Sequence, residues 1–489
     1  MSAVSVVKMT ESGSRPSLIV EIVRSDQMLD CEQFRLSAIA GTMIESDSQN
    51  SIAGSDSFLI PARQFPERLS AETMSATLSR AIAQGAIGNS GDAVVFYNLS
   101  RLDDMLDSLR ASFPPNALHT VAVKANPIVE VLRRIQRAGY GAEVASIGEL
   151  HLALAAGFPA EAIVFDSPVK TRAELEIALK LGITINANSL RELDRINTLY
   201  SALGSRSQVG VRINPETGMG GIVATSVAVE RSKFGVSLRE SRAALHRAFS
   251  EYPWLTGLHL HIGSQGTSRE QLLHGAGAVY DFFGELRERV GIRFFNIGGG
   301  LPVKYKGADT PIQFSDYATL LRERCPALFA PEVVLVTEFG RALHATCGWV
   351  ATKVEYVIEH DYGATLIVHV GADMFLRKAY RPDDWHHDIS VCDPRGELHT
   401  GSEREFSVAG PLCFAGDYLN RSVWLPANVS EGDYIIVHDS GAYTFSMWSL
   451  YNSRQFPAVI GYNEADGSFH CLRPRQSLEQ IVDFWAGGE

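Results

Sequence analysis

The chain predicts a (β/α)8 barrel followed by a second, mainly antiparallel β domain. Three observations carry this reading. Eight short apolar runs alternate with helical patterns between about residues 119 and 345, as eight strand–helix units of a barrel require. Beyond 345 the helical periodicity stops, and alternating or β-branched runs continue between turn residues. The GxGxxG fingerprint of the competing doubly wound sheet is missing.

In order, the barrel runs are Thr120–Ala125, Ala142–Ser146, Ile163–Ser167, Ile183–Asn188, Val209–Asn214, Gly257–Gly263, Phe294–Gly298 and Val333–Phe339. Between them lie amphipathic stretches such as Ser189–Leu203, Glu270–Val290 and Phe314–Phe329, and Pro127 opens a helix with Val129, Leu132 and Ile135 on one face. The later runs Val354–Ile358, Thr365–Val370, Glu405–Ala409 and Tyr434–His438 form the β domain. Residues 93–99 read as one more strand, ahead of the barrel, that can pair into that domain. The expected organisation is an N-terminal extension over 1–90, a barrel over 91–345, and a β domain over 346–489 that takes in strand 93–99. Residues 1–55 are rich in serine and small side chains, with one apolar burst at Leu18–Ile22, and receive no role.

With 489 residues, 45% of them hydrophobic, the chain can bury a large core. A net charge of −12 without a long basic block excludes a nucleic-acid partner and suits small-molecule chemistry. Six cysteines (31, 325, 347, 392, 413 and 471) lack CxxC spacing, so neither a disulfide framework nor a metal centre is expected, and a cytoplasmic setting is. The sequence shows no membrane-length apolar run and no signal-peptide core.

Barrel enzymes gather their chemistry at the carboxyl ends of the strands, and the unusual residues of this chain collect there. Lys124 ends the first strand, where poor solvation lets an amine lose its proton and form a Schiff base with an aldehyde cofactor. Glu143 and Ser146 end the second strand, and Arg212 and Asn214 the fifth. His261-Ile-Gly-Ser264 ends the sixth, Gly298-Gly299-Gly300 the seventh, and Glu338-Phe-Gly340-Arg341 the eighth. The glycines let backbone N–H groups approach an anion, and Ser264 adds a hydroxyl, which suits a phosphate. Glu338 can keep a pyridine nitrogen protonated, His261 offers a ring for stacking, and Arg341 can grip a carboxylate.

With these residues the chain resembles the fold-type III pyridoxal-phosphate (PLP) enzymes of the ornithine/diaminopimelate decarboxylase group, especially the diaminopimelate decarboxylases. The resemblance runs from about 94 to 465. It rests on Val-Lys-Ala-Asn (123–126), Ser-Ile-Gly-Glu-Leu (146–150), His-Ile-Gly-Ser-Gln (261–265), Gly-Gly-Gly (298–300), Glu-Phe-Gly-Arg (338–341), Gly-Pro-Leu-Cys (410–413), Asp-Ser-Gly-Ala-Tyr (439–443) and Tyr-Asn-Ser-Arg (451–454). It implies an alanine racemase-like fold, PLP on Lys124, and His261 stacked on the ring. Arg212, Ser264, Gly298, Gly299, Gly300, Gly340 and Arg341 fall among the cofactor binders, with Glu338 at the ring nitrogen. Arg341, Arg377 and Tyr380 would meet the substrate carboxylate, and Cys413 would donate a proton. The resemblance brings Cys413, and with it Tyr443, from a second subunit, and so implies a homodimer with shared sites.

This chain departs from the family twice. Phe339 replaces a proline, a change that leaves Glu338 and Arg341 in place. Phe414 replaces the acid that follows the catalytic cysteine and pairs with the substrate's distal amino group; a buried unpaired ammonium would be costly there. The expected activity is therefore α-decarboxylation of an L-amino acid, or of the D-centre of a diaminopimelate-like substrate. That substrate keeps a far-end carboxylate while its distal nitrogen is acylated or absent, as in a siderophore or antibiotic intermediate. The alternative is diaminopimelate decarboxylase of lysine biosynthesis. A racemase would need a tyrosine base in place of the cysteine motif. An inactive PLP-binding regulator would tend to lose cofactor residues that are all present here.

Overall fold

The computed structural model describes residues 68–88, 92–306 and 311–487. The Leu18–Ile22 burst, Cys31 and most of the expected N-terminal extension lie outside the described residues. Eight strands form the barrel: Leu118–Ala122, Gly141–Val144, Ile163–Phe165, Thr184–Ala187, Val209–Asn214, Leu255–His259, Phe294–Asn296 and Val334–Thr337. Every neighbouring pair is parallel, and the barrel closes where Val336 pairs with Leu118. A two-residue strand, Val236–Ser237, extends the ladder beside Asn214.

Most of these strands stop one to four residues short of the apolar runs that predict them. The chain leaves the ladder at the barrel mouth, so Lys124, His261, Ser264 and Glu338 sit just past strand ends, while Glu143 and Arg212 stay on strands. Lys124 is on a single 3-10 turn, Val123–Ala125, and His261 and Ser264 follow a strand that ends at His259. The mouth is stitched by backbone bonds: Ala122 N donates to Phe339 O (3.3 Å) and Glu338 N to Gly298 O (2.8 Å).

The helices follow their capping chemistry. Ser189 caps Leu190–Leu203, and Ser268 with Gln271 forms a capping box at the start of Arg269–Arg287. The run Phe314–Phe329 divides into a helix, Phe314–Arg324, and a 3-10 turn, Pro326–Phe329, because Pro326 cannot donate to the preceding turn and keeps Cys325 out of the helical region. Pro127 stands two residues ahead of its helix, which begins at Val129. That helix buries Val131, Leu132 and Ile135, with Val129 only partly buried.

Beyond the barrel the chain builds a mainly antiparallel sheet. Ala93–Asn98 joins it, antiparallel to Gly348–His360 and parallel to Ala458–Tyr462. Helix Ala71–Ala83 packs Met74, Leu78 and Ala81 into the same cluster as Phe96, Trp349 and Tyr462, with Trp349 stacked on Phe96 at 4.2 Å. The sheet also delivers a loop to the barrel mouth. A side chain on Gly441 would collide with the carbonyl of His344, so the loop passes closely there, and Tyr443 N donates to Ala125 O at 3.1 Å.

Candidate active site

Lys124 and Glu143 meet at the mouth as an ion pair between Nζ and Oε2. The glutamate is fully buried, while about a third of the lysine side chain (37%) stays open. Burial alone would weaken the ammonium, as the sequence reading expects. Glu143, and beyond it Tyr443 and Glu338, outweigh burial and hold Lys124 above the ordinary lysine value. The ammonium form is therefore favoured while this ion pair is intact. Glu143 is itself raised, by burial and by the carboxylates Glu338 and Asp166, with Lys124 opposing.

Beneath this pair lies a buried polar floor. Glu338 accepts from Asn296 Nδ2 at 2.6 Å. His259 Nε2 lies 3.6 Å from Glu338 Oε2 and 3.4 Å from Asp166 Oδ2, and Arg212 stands 3.8 Å from Asp166. Burial opposes ionisation of Asp166, but His259, Arg212 and Lys170 hold it below the usual carboxylate range. Neither ring nitrogen of His259 makes a hydrogen bond among the described residues. Asp166, His259 and Asn296 have no place in the sequence reading, although His259 alternates with His261 and so faces the same side of an extended chain.

The opposite wall is cationic and aromatic. Arg341 donates from Nε and Nη2 to Ser264 Oγ (3.2 Å each) and from Nη1 to Tyr305 Oη (2.9 Å). Its guanidinium lies 4.6 Å from the Tyr443 ring centre. Arg377 lies 4.8 Å from the same ring and from Trp385. Burial, then Arg341, lowers Arg377 to about 10, and its Nη1 is buried without a partner. Tyr443 thus belongs to the site of its own chain. The expectation that a second subunit supplies it is corrected: its loop is tied to the lysine turn through Ala125.

His261 accepts from Gly299 N at 3.1 Å. Burial, Arg212 and Lys124 keep its ring neutral by pulling it well below the ordinary histidine value. Gly298 N donates to Asn296 Oδ1 (2.8 Å), so two of the three glycine N–H groups already serve side chains. The triplet is nonetheless a cradle: φ is 67° at Gly298 and 104° at Gly300, and an added side chain would strike Leu260 O or Gly263 O. At Gly340 it would meet Ala122, Ala125 and Tyr443. Ser146 caps helix Ile147–Ala156 by accepting from Glu149 N. Phe339 turns away from the mouth into a cluster with Phe314 (5.0 Å) and Phe113 (6.1 Å), while Glu338 and Arg341 stay with the site residues.

Cys413 lies elsewhere. It is exposed, its N–H donates to Asn452 Oδ1 (2.8 Å), and its carbonyl accepts from Tyr451 Oη (3.2 Å). Beside it is a half-open cavity of about 210 Å³ lined by residues that include Leu376, Tyr380, Leu412, Phe414 and Tyr451. Phe414 stacks on Tyr380 (6.1 Å, 17°) and meets Tyr451 edge-on. Helix Leu376–Tyr380 divides the two places, giving Arg377 to the lysine side and Leu376 and Tyr380 to the cysteine side.

The lysine side fits PLP: an amine for the aldehyde, a carboxylate pinned by Asn296 for the ring nitrogen, and a glycine cradle beside Ser264 and Arg341 for a phosphate. Among the described residues no helix is long and apolar enough to cross a membrane. The family described as pyridoxal-dependent decarboxylase, pyridoxal binding domain, matches residues 99–345. A diaminopimelate decarboxylase of Aquifex aeolicus is 30% identical over 398 residues, covering 80% of this chain and 91% of that protein. One of Pseudomonas aeruginosa is 32% identical over 364 residues, covering 74% and 84%. The crystal structure of the Helicobacter pylori diaminopimelate decarboxylase complexed with L-lysine superposes with a TM-score of 0.74 at 27% identity, over 83% of this chain and 99% of that one. Site and similarity agree: this chain is a PLP-dependent amino-acid decarboxylase, a carboxy-lyase of the pyridoxal-dependent decarboxylase family.

Proposed function

We propose that the enzyme removes the α-carboxylate from an amino acid of the diaminopimelate class, with meso-diaminopimelate as the first candidate. The observation that carries this is the pair Arg341 and Arg377 on the ring of Tyr443, with Arg377 Nη1 buried and unpartnered. Such a group calls for an anion, and a far-end carboxylate supplies one. The similarity to diaminopimelate decarboxylases supports the same substrate.

When bound through Lys124, PLP supplies the electron sink for the carbanion left as CO2 departs. Glu338 keeps a positive charge on the ring nitrogen, His261 offers a neutral flat face, and Ser264 with the Gly298–Gly300 cradle takes the phosphate. Arg377 orients the distal carboxylate. Cys413 is exposed on a separate face, which suits donation of a proton to Cα in the partner subunit's site within a homodimer.

A second reading rests on the rings around Phe414. The cavity beside Cys413 has no carboxylate in its lining. Ring faces can hold an ammonium at about 0.5–2 kcal/mol, but they also accept an acylated or absent distal nitrogen. CO2 release from the PLP-loaded protein, measured on meso-diaminopimelate, its N-acyl derivative, lysine and ornithine, separates the readings. The first requires meso-diaminopimelate to be the best substrate. An N-acyl derivative preferred by about 10²-fold establishes the second.

A further inference from the structure

We infer that Glu143 is the proton shuttle through which an incoming amine exchanges with Lys124. The inference rests on the proposal that Lys124 carries the cofactor.

Three observations point to it. Glu143 touches Lys124 directly, its side chain is fully buried, and its second oxygen, Oε1, has no hydrogen-bond partner among the described residues. The neighbouring carboxylates look elsewhere: Asp166 also has an unpartnered oxygen, Oδ1, but neither it nor Glu338 forms an ion pair with Lys124 among the described residues. Glu338 is pinned by Asn296, and Asp166 faces Arg212 and His259. Glu143 therefore has an oxygen to spare at the one place where an amine must change its charge.

A substrate arrives as an ammonium and cannot attack until it loses a proton. Glu143 takes that proton: an N–H bond breaks, its electron pair stays on nitrogen, and an O–H bond forms on the carboxylate. The carbon–nitrogen bond to Nζ then breaks as the one to the incoming nitrogen forms. Protons lost by the incoming nitrogen arrive on Nζ, net charge is unchanged, and nothing is oxidised. Lys124 leaves as an ammonium beside a carboxylate, and that is the ion pair seen at the mouth. Its surroundings favour the relay. Burial, with Glu338 and Asp166, makes Glu143 readier to hold a proton, while Glu143, then Tyr443 and Glu338, favour the charged form of Lys124 against burial.

The test mixes the PLP-loaded protein with methylamine and follows the cofactor's absorbance by stopped flow between pH 6 and 10. No substrate is turned over. Wild type should exchange with a rate inflection in the neutral range. Glu143→Gln, which keeps shape but accepts no proton, should exchange about 10²-fold more slowly at pH 7.5 and lose that inflection. Glu143→Asp should restore the inflection and bring the rate within about tenfold of wild type. Wild-type rate and pH profile in Glu143→Gln would overturn the shuttle. If Glu143→Gln does not retain cofactor, Glu143→Asp decides, and loss of the inflection there overturns it too. Borohydride reduction followed by peptide mapping keeps the two readings apart. An adduct away from Lys124 defeats the cofactor assignment, whereas an adduct on Lys124 with unaltered Glu143→Gln kinetics defeats the shuttle alone.

Discussion

Asn296 holds Glu338 through a 2.6 Å hydrogen bond from Nδ2 to Oε1, with both side chains closed to solvent. The other carboxylate oxygen faces His259 at 3.6 Å, so the group that meets the cofactor's ring nitrogen is fixed from below. Removing its charge should cost more than removing its support. Glu338→Gln should bind PLP yet lose about 10²-fold or more in kcat. Asn296→Ala should lose about tenfold, because Glu338 keeps its charge and only the low end, about 1.5 kcal/mol, of a hydrogen bond to a charged group is lost. Steady-state kinetics with the cofactor's spectrum as a loading control checks both. Equal losses would show that the second bond of Asn296, to Gly298 N in the glycine cradle, matters as much as its hold on Glu338.

Asp373 gives a stability test independent of catalysis. It is fully buried; Oδ1 accepts from Gly371 N and Met374 N, and Oδ2 has no partner among the described residues. Burial, with Asp417 adding, pushes its carboxyl up to about 6 from 3.8, against the two backbone donors. The folded state thus binds this proton more tightly than the unfolded state. Its contribution is full below about pH 4 and lost as pH rises through about 6. Asp373→Asn keeps the acceptor and abolishes the charge. It should stabilise by about 1–3 kcal/mol at pH 8 and do little at pH 4. Thermal melts at the two pH values check the sign; a variant less stable at pH 8 would contradict it.

The barrel was legible because its strands are buried on both faces and read as continuous apolar runs, and the rim was legible because polar residues interrupt them at one end. Strand ends were not, since a run such as Gly257–Gly263 stays apolar after its ladder stops at His259. The floor was missed for a related reason. Asp166, His259 and Asn296 look like ordinary polar residues until closure brings three distant strands within reach of one another. The contact that opposes burial at Lys124 was not legible either, because an apolar run shows burial and does not show the approach of Glu143. Tyr443 was misplaced because nothing local in Asp-Ser-Gly-Ala-Tyr tells which subunit's mouth its loop reaches.

Cys413 tests the shared site. None of the residues lining its cavity lines the cleft of Arg341, Arg377 and Tyr443. If the cysteine serves the partner's lysine, Lys124→Ala and Cys413→Ala homodimers should each be nearly inactive. After mixing and subunit exchange they should recover about a quarter of wild-type activity, since half the dimers are hybrids with one intact site. Recovery is read as CO2 release after mixing. None, with exchange verified by mass, would mean that lysine and cysteine work within one chain.

Phe414 should set the preference at the substrate's far nitrogen. Its ring stacks on Tyr380 and meets Tyr451 edge-on, leaving no acid in the cavity lining. An ammonium there relies on ring faces, at about 0.5–2 kcal/mol. A carboxylate would add a charge-assisted hydrogen bond of about 1.5–3 kcal/mol. Phe414→Glu should therefore raise kcat/KM for meso-diaminopimelate relative to its N-acyl derivative by about 10- to 100-fold. Phe414→Leu, which removes the ring without adding charge, should lower activity on the free diamino acid by about threefold or more and leave the acylated one less affected. The two variants separate the effects: a preference shifted by Glu alone assigns the role to charge, and one shifted by Leu assigns it to the rings. An unchanged ratio in both would place the far nitrogen away from Phe414.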